Sequence, residues 1–286
     1  MTRDDLRLRR WFSEYVSRFY TDDPDFNSVI RVKEEHTYRV CEETDYLARN
    51  LNLSSDSLKI AQTAALFHDL GRFKQFLKYR TFKDSASENH GMISVRELGR
   101  HKVLFHLTAR EKRIVSTAVA YHNALHIPQG LDSDRLFHLL LLRDADKLDI
   151  WRLITENLGP RGEKMRDEIT VHIPAAPGCS PAVISDLRCG ELVDFSKVKT
   201  FDDYKLLAIG WVYDLNFAPA FQRLKEGGYI ERIEESLPDD EAVRSAVACA
   251  RNYAARMRNQ PAFDRSKPKS QSGKLKKNQF PAAHPR

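Results

Sequence analysis

The stretch "ALFHDLGRF", residues 65–73, ends an apolar run on an imidazole and a carboxylate, His68 and Asp69. Burying both is costly unless each is paired, with its neighbour, with the backbone or with a shared cation. Four more such groups stand where the apolar pattern does not call for them. His36 shares a helical face with Val29, Val32 and Val40, and His90 opens the helical pattern in "SENHGMISV". His122 closes "IVSTAVAYHNAL", and Asp146 interrupts "HLLLLRDADKLDIW", otherwise the most apolar helix in the chain. Imidazole and carboxylate are the nitrogen and oxygen ligands that divalent transition metals accept. One helix presents at most a couple of them on one face, so helices must converge to complete a site. Successive residues of a helix point about 100° apart. His68 and Asp69 therefore reach one site only if their helix is ending, with the backbone turning at Gly71.

Each of these groups has a plainer reading. A single histidine on an apolar face is usually a satisfied core residue, and His101, His106, His126, His138, His172 and His284 are read that way. His126 is four residues after His122, but Pro128 and the turn "HIPQGLDSD" argue against helix there. Asp146 has a competing reading as an ion pair with Arg143 or Arg152, with Asp144 or Asp149 as surface halves of such pairs.

The elements that must position these groups are helical. Residues 4–20 place Leu6, Trp11, Tyr15, Val16 and Phe19 near one stripe, and residues 25–51 continue the pattern. The segment "SDSLKIAQTAALFHD" begins with cap-type residues and is expected to stop at Gly71. Residues 72–87 read as polar and irregular, and helices are expected again over 89–98, 109–124 and 134–158. Within 159–200, "EITVHIPAAPGCSP" reads as an excursion because its Pro and Gly argue against a sheet strand. Helical periodicity resumes over 204–225 and 239–258, where Trp211, Tyr213, Phe217 and Phe221 read as core. The expected architecture is all-α: an N-terminal helix within 1–28, a metal-binding helical bundle over 29–158, a helical extension over 159–260, and a disordered basic tail over 261–286.

Charge and composition narrow the function classes. The formal net charge is +6, but residues 261–286 carry seven Lys/Arg against one Asp, which leaves the remainder neutral. Nucleic-acid binding is thus expected of the tail at most. The start "MTRDDLRLRR" has no apolar segment of a signal peptide, and no run approaches membrane-spanning length, so a cytoplasmic protein without membrane attachment is expected. Cys41, Cys179, Cys189 and Cys249 show no C-x-x-C spacing and read as buried or free thiols.

The order of the six groups is His, roughly thirty residues, His-Asp, roughly twenty, His, roughly thirty, His, roughly twenty-five, Asp. With "EEHTYRV", "AALFHDLGR" and "LLRDADKLD", this resembles the HD-domain superfamily of metal-dependent phosphohydrolases, over about Val29 to Arg152. The resemblance implies an α-helical bundle whose mononuclear ligand set is His36, His68, Asp69 and Asp146. His90 and His122 correspond to the extra pair of binuclear members, in which the dipeptide aspartate bridges two metals. It implies two divalent ions, of Mn, Fe, Ni or Mg type, and catalytic roles for Asp69 and Arg72. Arg72 departs from the lysine common after the glycine, and a guanidinium does not donate a proton at neutral pH.

Arg72, Lys74, Lys78, Arg80 and Lys83 lie between ligand segments. Arg72, Lys74, Arg80 and Lys83, with Lys147 beside Asp146, are the candidates for binding substrate phosphate, Arg72 and Arg80 foremost because guanidinium binds in bidentate fashion. The leading function is hydrolysis of a phosphate ester or anhydride in a nucleotide or other small phosphorylated compound. The pattern also looks like superfamily members that hydrolyse dinucleoside tetraphosphates. Two alternatives are a di-iron oxygenase of the inositol-oxygenase type, since the same ligands suit iron, and a non-catalytic nucleotide-binding module.

Overall fold

In the computed structural model, the described residues are 3–158, 173 and 176–259, and they contain helices and no strand. The tail 261–286, His172 and His284, and residues 159–172 with 174–175, which include half of the expected excursion, lie outside the described residues. Seven helices make up the N-terminal half: α1 (Arg3–Val16), α2 (Pro24–Asn50), α3 (Ser55–Phe67), α4 (Leu70–Tyr79), α5 (His90–Arg100), α6 (Ala109–Tyr121) and α7 (Ser133–Glu156). Their starts are written in the sequence. The Asp23 carboxylate accepts from the amides of Asp25 and Phe26, with Pro24 in the first turn, and Ser54, Asn89 and Asp132 cap α3, α5 and α7 in the same manner. Thr108 and Glu111 form a reciprocal capping box on α6.

Helices α2, α3, α6 and α7 pack against one another, α4 pairs with α5, α5 lies on α6, and α1 lies on α3. The core is continuous through Phe12, Leu47, Phe67, Leu70, Phe73, Leu139 and Trp151, all fully buried. Among the described residues five further helices follow: α8 (Pro181–Cys189), α9 (Phe201–Gly210), α10 (Ala218–Glu226), α11 (Tyr229–Glu234) and α12 (Glu241–Arg258). They reach the first seven mainly through α7 and α2. The seam is polar as well as apolar: Arg223 grips the Glu43 carboxylate with two donors at 2.9 Å, and the Trp151 indole N–H donates to the Ala208 carbonyl at 2.9 Å.

Three sequence expectations need correction. Residues 72–87 are not all irregular, because α4 occupies 70–79 and buries Leu70 and Phe73. Gly71 does not stop a helix; it lies in the first turn of α4, where α5 approaches closely. A methyl group there would stand 2.3 Å from the His90 carbonyl oxygen and 2.8 Å from the Ile93 Cβ. Its N–H donates to Ser94 Oγ at 2.7 Å. Second, 181–189 is a helix, with Pro181 in its first turn and Gly190 past its end at φ 73°. That pairing is the usual signature of a short helix, obscured by the Pro and Gly content around it. Third, 204–225 is not one helix: a 3-10 turn over Trp211–Asp214 and an extended step separate α9 from α10. Pro219 cannot sit inside a continuous helix, and the Asp144 carboxylate takes the amides of Asn216 and Phe217, each at 3.0 Å. Phe217 and Phe221 are buried as expected, while Trp211 and Tyr213 are half-buried against the core.

Gly71→Ala should destabilise the protein by about 1–3 kcal/mol, the usual cost of overpacking, because backbone and not a flexible side chain opposes the methyl. Urea denaturation reads this out; an unchanged midpoint would refute the close-approach explanation.

Candidate metal centre

The six candidate ligands come from five places in the bundle. His36 lies within α2, His68 is the C-cap of α3, and Asp69 is the N-cap of α4, with φ −100° and ψ 13°. His90 begins α5, His122 is the C-cap of α6, and Asp146 lies within α7. The junction between α3 and α4 lets His68 and its neighbour Asp69 face one centre. The expected turn therefore exists, two residues before Gly71.

Each imidazole is oriented by a partner on Nδ1. His68 donates to the Ala65 carbonyl at 2.8 Å and His122 to the Val119 carbonyl at 2.9 Å. His36 donates to Asp149 Oδ2 at 2.6 Å and His90 to Asp84 Oδ2 at 2.8 Å. A neutral ring donating through Nδ1 carries its lone pair on Nε2, and a second partner of this kind is what holds histidine ligands at metal sites. The Nε2 atoms then meet in two pairs: His36 and His68 at 3.2 Å, and His90 and His122 at 3.0 Å.

The Asp69 carboxylate stands between the pairs. Its Oδ2 is 3.7 Å from His36 Nε2 and 3.8 Å from His68 Nε2; its Oδ1 is 3.2 Å from His90 Nε2 and 3.7 Å from His122 Nε2. Asp146 Oδ1 joins the first pair, 3.2 Å from His36 Nε2 and 3.8 Å from His68 Nε2. Acceptors packed this closely repel unless positive charge lies among them. Two groups bring their donor atoms within 4.8 Å of one another, close enough to hold an ion, one of His36, His68 and Asp69 and one of Asp69, His90 and His122. The donor set thus fits divalent metal, with Asp69 common to both groups and Asp146 beside the first.

The protonation of the groups agrees. Burial lowers His68 to about 4 and His90 to about 3, in the latter case helped by the charge of Arg72. Burial acts on His36 in the same sense, but hydrogen bonds to Asp146 and Asp149 outweigh it and raise it to about 9. Burial works to raise Asp69, yet Lys33, His68 and Arg72 hold it well below the usual carboxylate range. Asp84 is brought to about 2 against its burial by the His90 hydrogen bond.

The centre opens on one side. The side chains of Asp146, Lys33 and Arg72 are 16%, 20% and 16% exposed, against 4% for Asp69. Lys33 Nζ is 3.2 Å from Asp69 Oδ2, and Arg72 Nε is 3.4 Å from Asp69 Oδ1. Both cations lie over the Phe82 ring, at 5.2 and 5.6 Å. The guanidinium of Arg72 also donates to the Phe82 carbonyl at 2.6 Å.

The other basic candidates are not brought to the cluster, and all but Lys83 have a side-chain partner elsewhere. Lys74 donates to Glu97 at 2.9 Å, on the carboxylate that also accepts from Tyr15. Lys78 lies over Tyr79, Arg80 over Phe26, and Lys83 is exposed and joins its loop through its backbone. Lys147 is turned to Asp214, at 2.7 Å. The competing ion pairs for Asp146 do not form: Arg143 pairs with Asp214 and Arg152 with Glu156. Asp144 and Asp149, taken as surface halves, are buried. His138 is a satisfied core histidine beside Ser57, and His126 is exposed outside any helix.

Sequence reasoning missed Lys33, Asp84 and Asp149. Two of the three carried a signal: Lys33 is one turn before His36 and Asp149 one turn after Asp146, on shared faces. Asp84 carried none, since a loop pinned by the buried Gln75 delivers it to His90.

Residues 34–151 match the family model of the HD domain. No curated protein and no solved structure gives a match.

Asp69→Ala should abolish uptake of both ions, since both groups use this carboxylate, and His122→Ala should abolish one. Elemental analysis of purified protein checks this; two ions retained by Asp69→Ala would refute the shared carboxylate. Asp149→Asn should weaken binding about 10–100-fold, as loss of a ligand's supporting partner commonly does.

Proposed function

We propose, on the premise that residues 34–151 are an HD domain, that the chain is a phosphohydrolase. Its substrate is a phosphate ester or anhydride of a nucleotide or other small phosphorylated compound. The observation that carries this reading is one carboxylate, Asp69, placed between two imidazole pairs with Lys33 and Arg72 on its oxygens at the open side. His36, His68, Asp69 and Asp146 would hold one divalent ion and Asp69, His90 and His122 the other. Such a pair supplies Lewis-acid stabilisation to the attacking and leaving oxygens of a phosphoryl centre.

The chain's own groups do the rest. Asp149 and Asp84 keep the rings of His36 and His90 in the tautomer that presents Nε2 inward. With the centre loaded, Lys33 and Arg72 no longer have to balance Asp69 alone, and both can hold a phosphoryl oxygen. Arg72 contributes charge and position and no proton, because guanidinium stays charged at neutral pH. Two cations at the mouth of the centre favour an anionic substrate, and thereby hydrolysis over oxygenation of a neutral polyol.

The test is a screen of the metal-loaded chain under nitrogen with phosphomonoesters, phosphodiesters, nucleoside phosphates and dinucleoside tetraphosphates. Release of phosphate or of a nucleoside phosphate without oxygen is the expected result. Oxygen uptake with a polyol or phosphonate, and no phosphate release under nitrogen, would move the chain to the di-iron oxygenase class. Lys33→Met and Arg72→Gln should each lower kcat/KM by about 10²-fold, the scale for removing one charge-stabilising donor, with metal content retained; unchanged kinetics in both would remove these residues from the site.

A further inference from the structure

The HD-domain match ends at residue 151, yet one half of the centre is braced from beyond it. His122 is the C-cap of α6, and the last carbonyls of a helix have no partner within it. Arg143 of α7 supplies one. Its Nη1 donates to the carbonyls of His122 at 2.8 Å and Ala124 at 2.6 Å, and lies 3.4 Å from that of Tyr121. A buried guanidinium needs a counter-charge, and it comes from the turn over Trp211–Asp214. Asp214 Oδ2 accepts from Arg143 Nη2 at 2.6 Å and from Nε at 3.2 Å, and the Lys147 ammonium lies 2.7 Å from the same oxygen. The turn itself is fixed on α7, because Asp144 accepts from the amides of Asn216 and Phe217 and from the Asn216 side chain at 2.9 Å.

We propose that Asp214, through Arg143, is a positioning residue for His122, so that the C-terminal helices set the affinity of the half of the centre formed by His90 and His122. The ring supports of all four imidazoles (Asp149, the Ala65 carbonyl, Asp84 and the Val119 carbonyl) lie within the matched segment, and it is the backbone brace at the end of α6 that reaches beyond it. Loss of the Asp214 carboxylate leaves Arg143 and Lys147 without their common partner, frees the guanidinium from the end of α6, and loosens one ligand of one ion. The inference rests on the metal-centre reading and is independent of which reaction the centre performs.

The test is calorimetric titration of the full chain, stripped with chelator, using Mn²⁺ as the probe. Wild type should show two events, and the one missing in His122→Ala marks the half in question. In Asp214→Asn that event should weaken about 10–100-fold while the other stays within about threefold, the range for a ligand's supporting partner. Arg143→Lys keeps the charge but cannot fork to several carbonyls; it should show the same selective loss, and it decides the matter if Asp214→Asn does not fold. Glu43→Gln cuts a different tie to the C-terminal helices, the one to Arg223, and should leave both events in place.

Equal weakening of both events, no change in either, or the Asp214→Asn pattern in Glu43→Gln would each overturn the positioning role alone. Uptake of fewer than two Mn²⁺ by wild type would overturn it together with the two-ion reading.

Discussion

Four imidazoles gathered around one carboxylate, Asp69, with Asp146 beside the first pair, is the constraint on which the rest of this structure depends. The Nε2 atoms of His90 and His122, at 3.0 Å with both rings donating through Nδ1, repel each other in a medium of low polarisability. The bundle withstands that repulsion because the ligands come from different helices, each locked into the core by apolar packing on its other faces. Asp69 is the element that cannot be moved. It ends one helix and begins the next, in the sparsely populated bridge region of backbone space, and each of its oxygens faces a different imidazole pair.

Two close backbone approaches follow from that demand. Gly71 lets α4 lie against the start of α5, and Gly91 lets α5 lie against the end of α6, where a methyl group would stand 2.7 Å from the Val119 carbonyl oxygen. Through these two contacts α5 is drawn toward Asp69 on one side and His122 on the other, which places His90 between them. Ser94 stitches the same region, since its hydroxyl oxygen accepts from Gly71 N and lies within hydrogen-bond range of the carbonyls of His68 and His90. The outer layer of partners (Asp149, Asp84 and the carbonyls of Ala65 and Val119) then fixes ring orientation. Helix packing supplies proximity, and these hydrogen bonds supply the direction in which each nitrogen points.

The cluster of imidazoles and carboxylates was legible in the sequence because its members violate the apolar periodicity of the helices that carry them. His36 on a valine face and Asp146 inside a leucine run are visible without coordinates. What stayed hidden is what depends on tertiary approach. Gly71 reads as a stop signal until α5 is seen against it. Residues 72–87 read as a polar, irregular stretch carrying basic candidates, but the acidic Asp84 is the one its loop delivers to His90, held by Gln75. Lys74 looked like a phosphate ligand because sequence does not reveal which way a helix faces; Glu97 claims it. The break between α9 and α10 was signalled by Pro219, yet the partner that stabilises it, Asp144, is on a helix about seventy residues earlier.

The most direct measurement is anomalous X-ray scattering at the metal edge from crystals of the Mn²⁺-loaded protein. Two peaks about 3.5–4 Å apart, the spacing of two-metal sites, one on each oxygen of Asp69, are the predicted result. No peak within reach of Asp69, or a single peak touching only one imidazole pair, would contradict it.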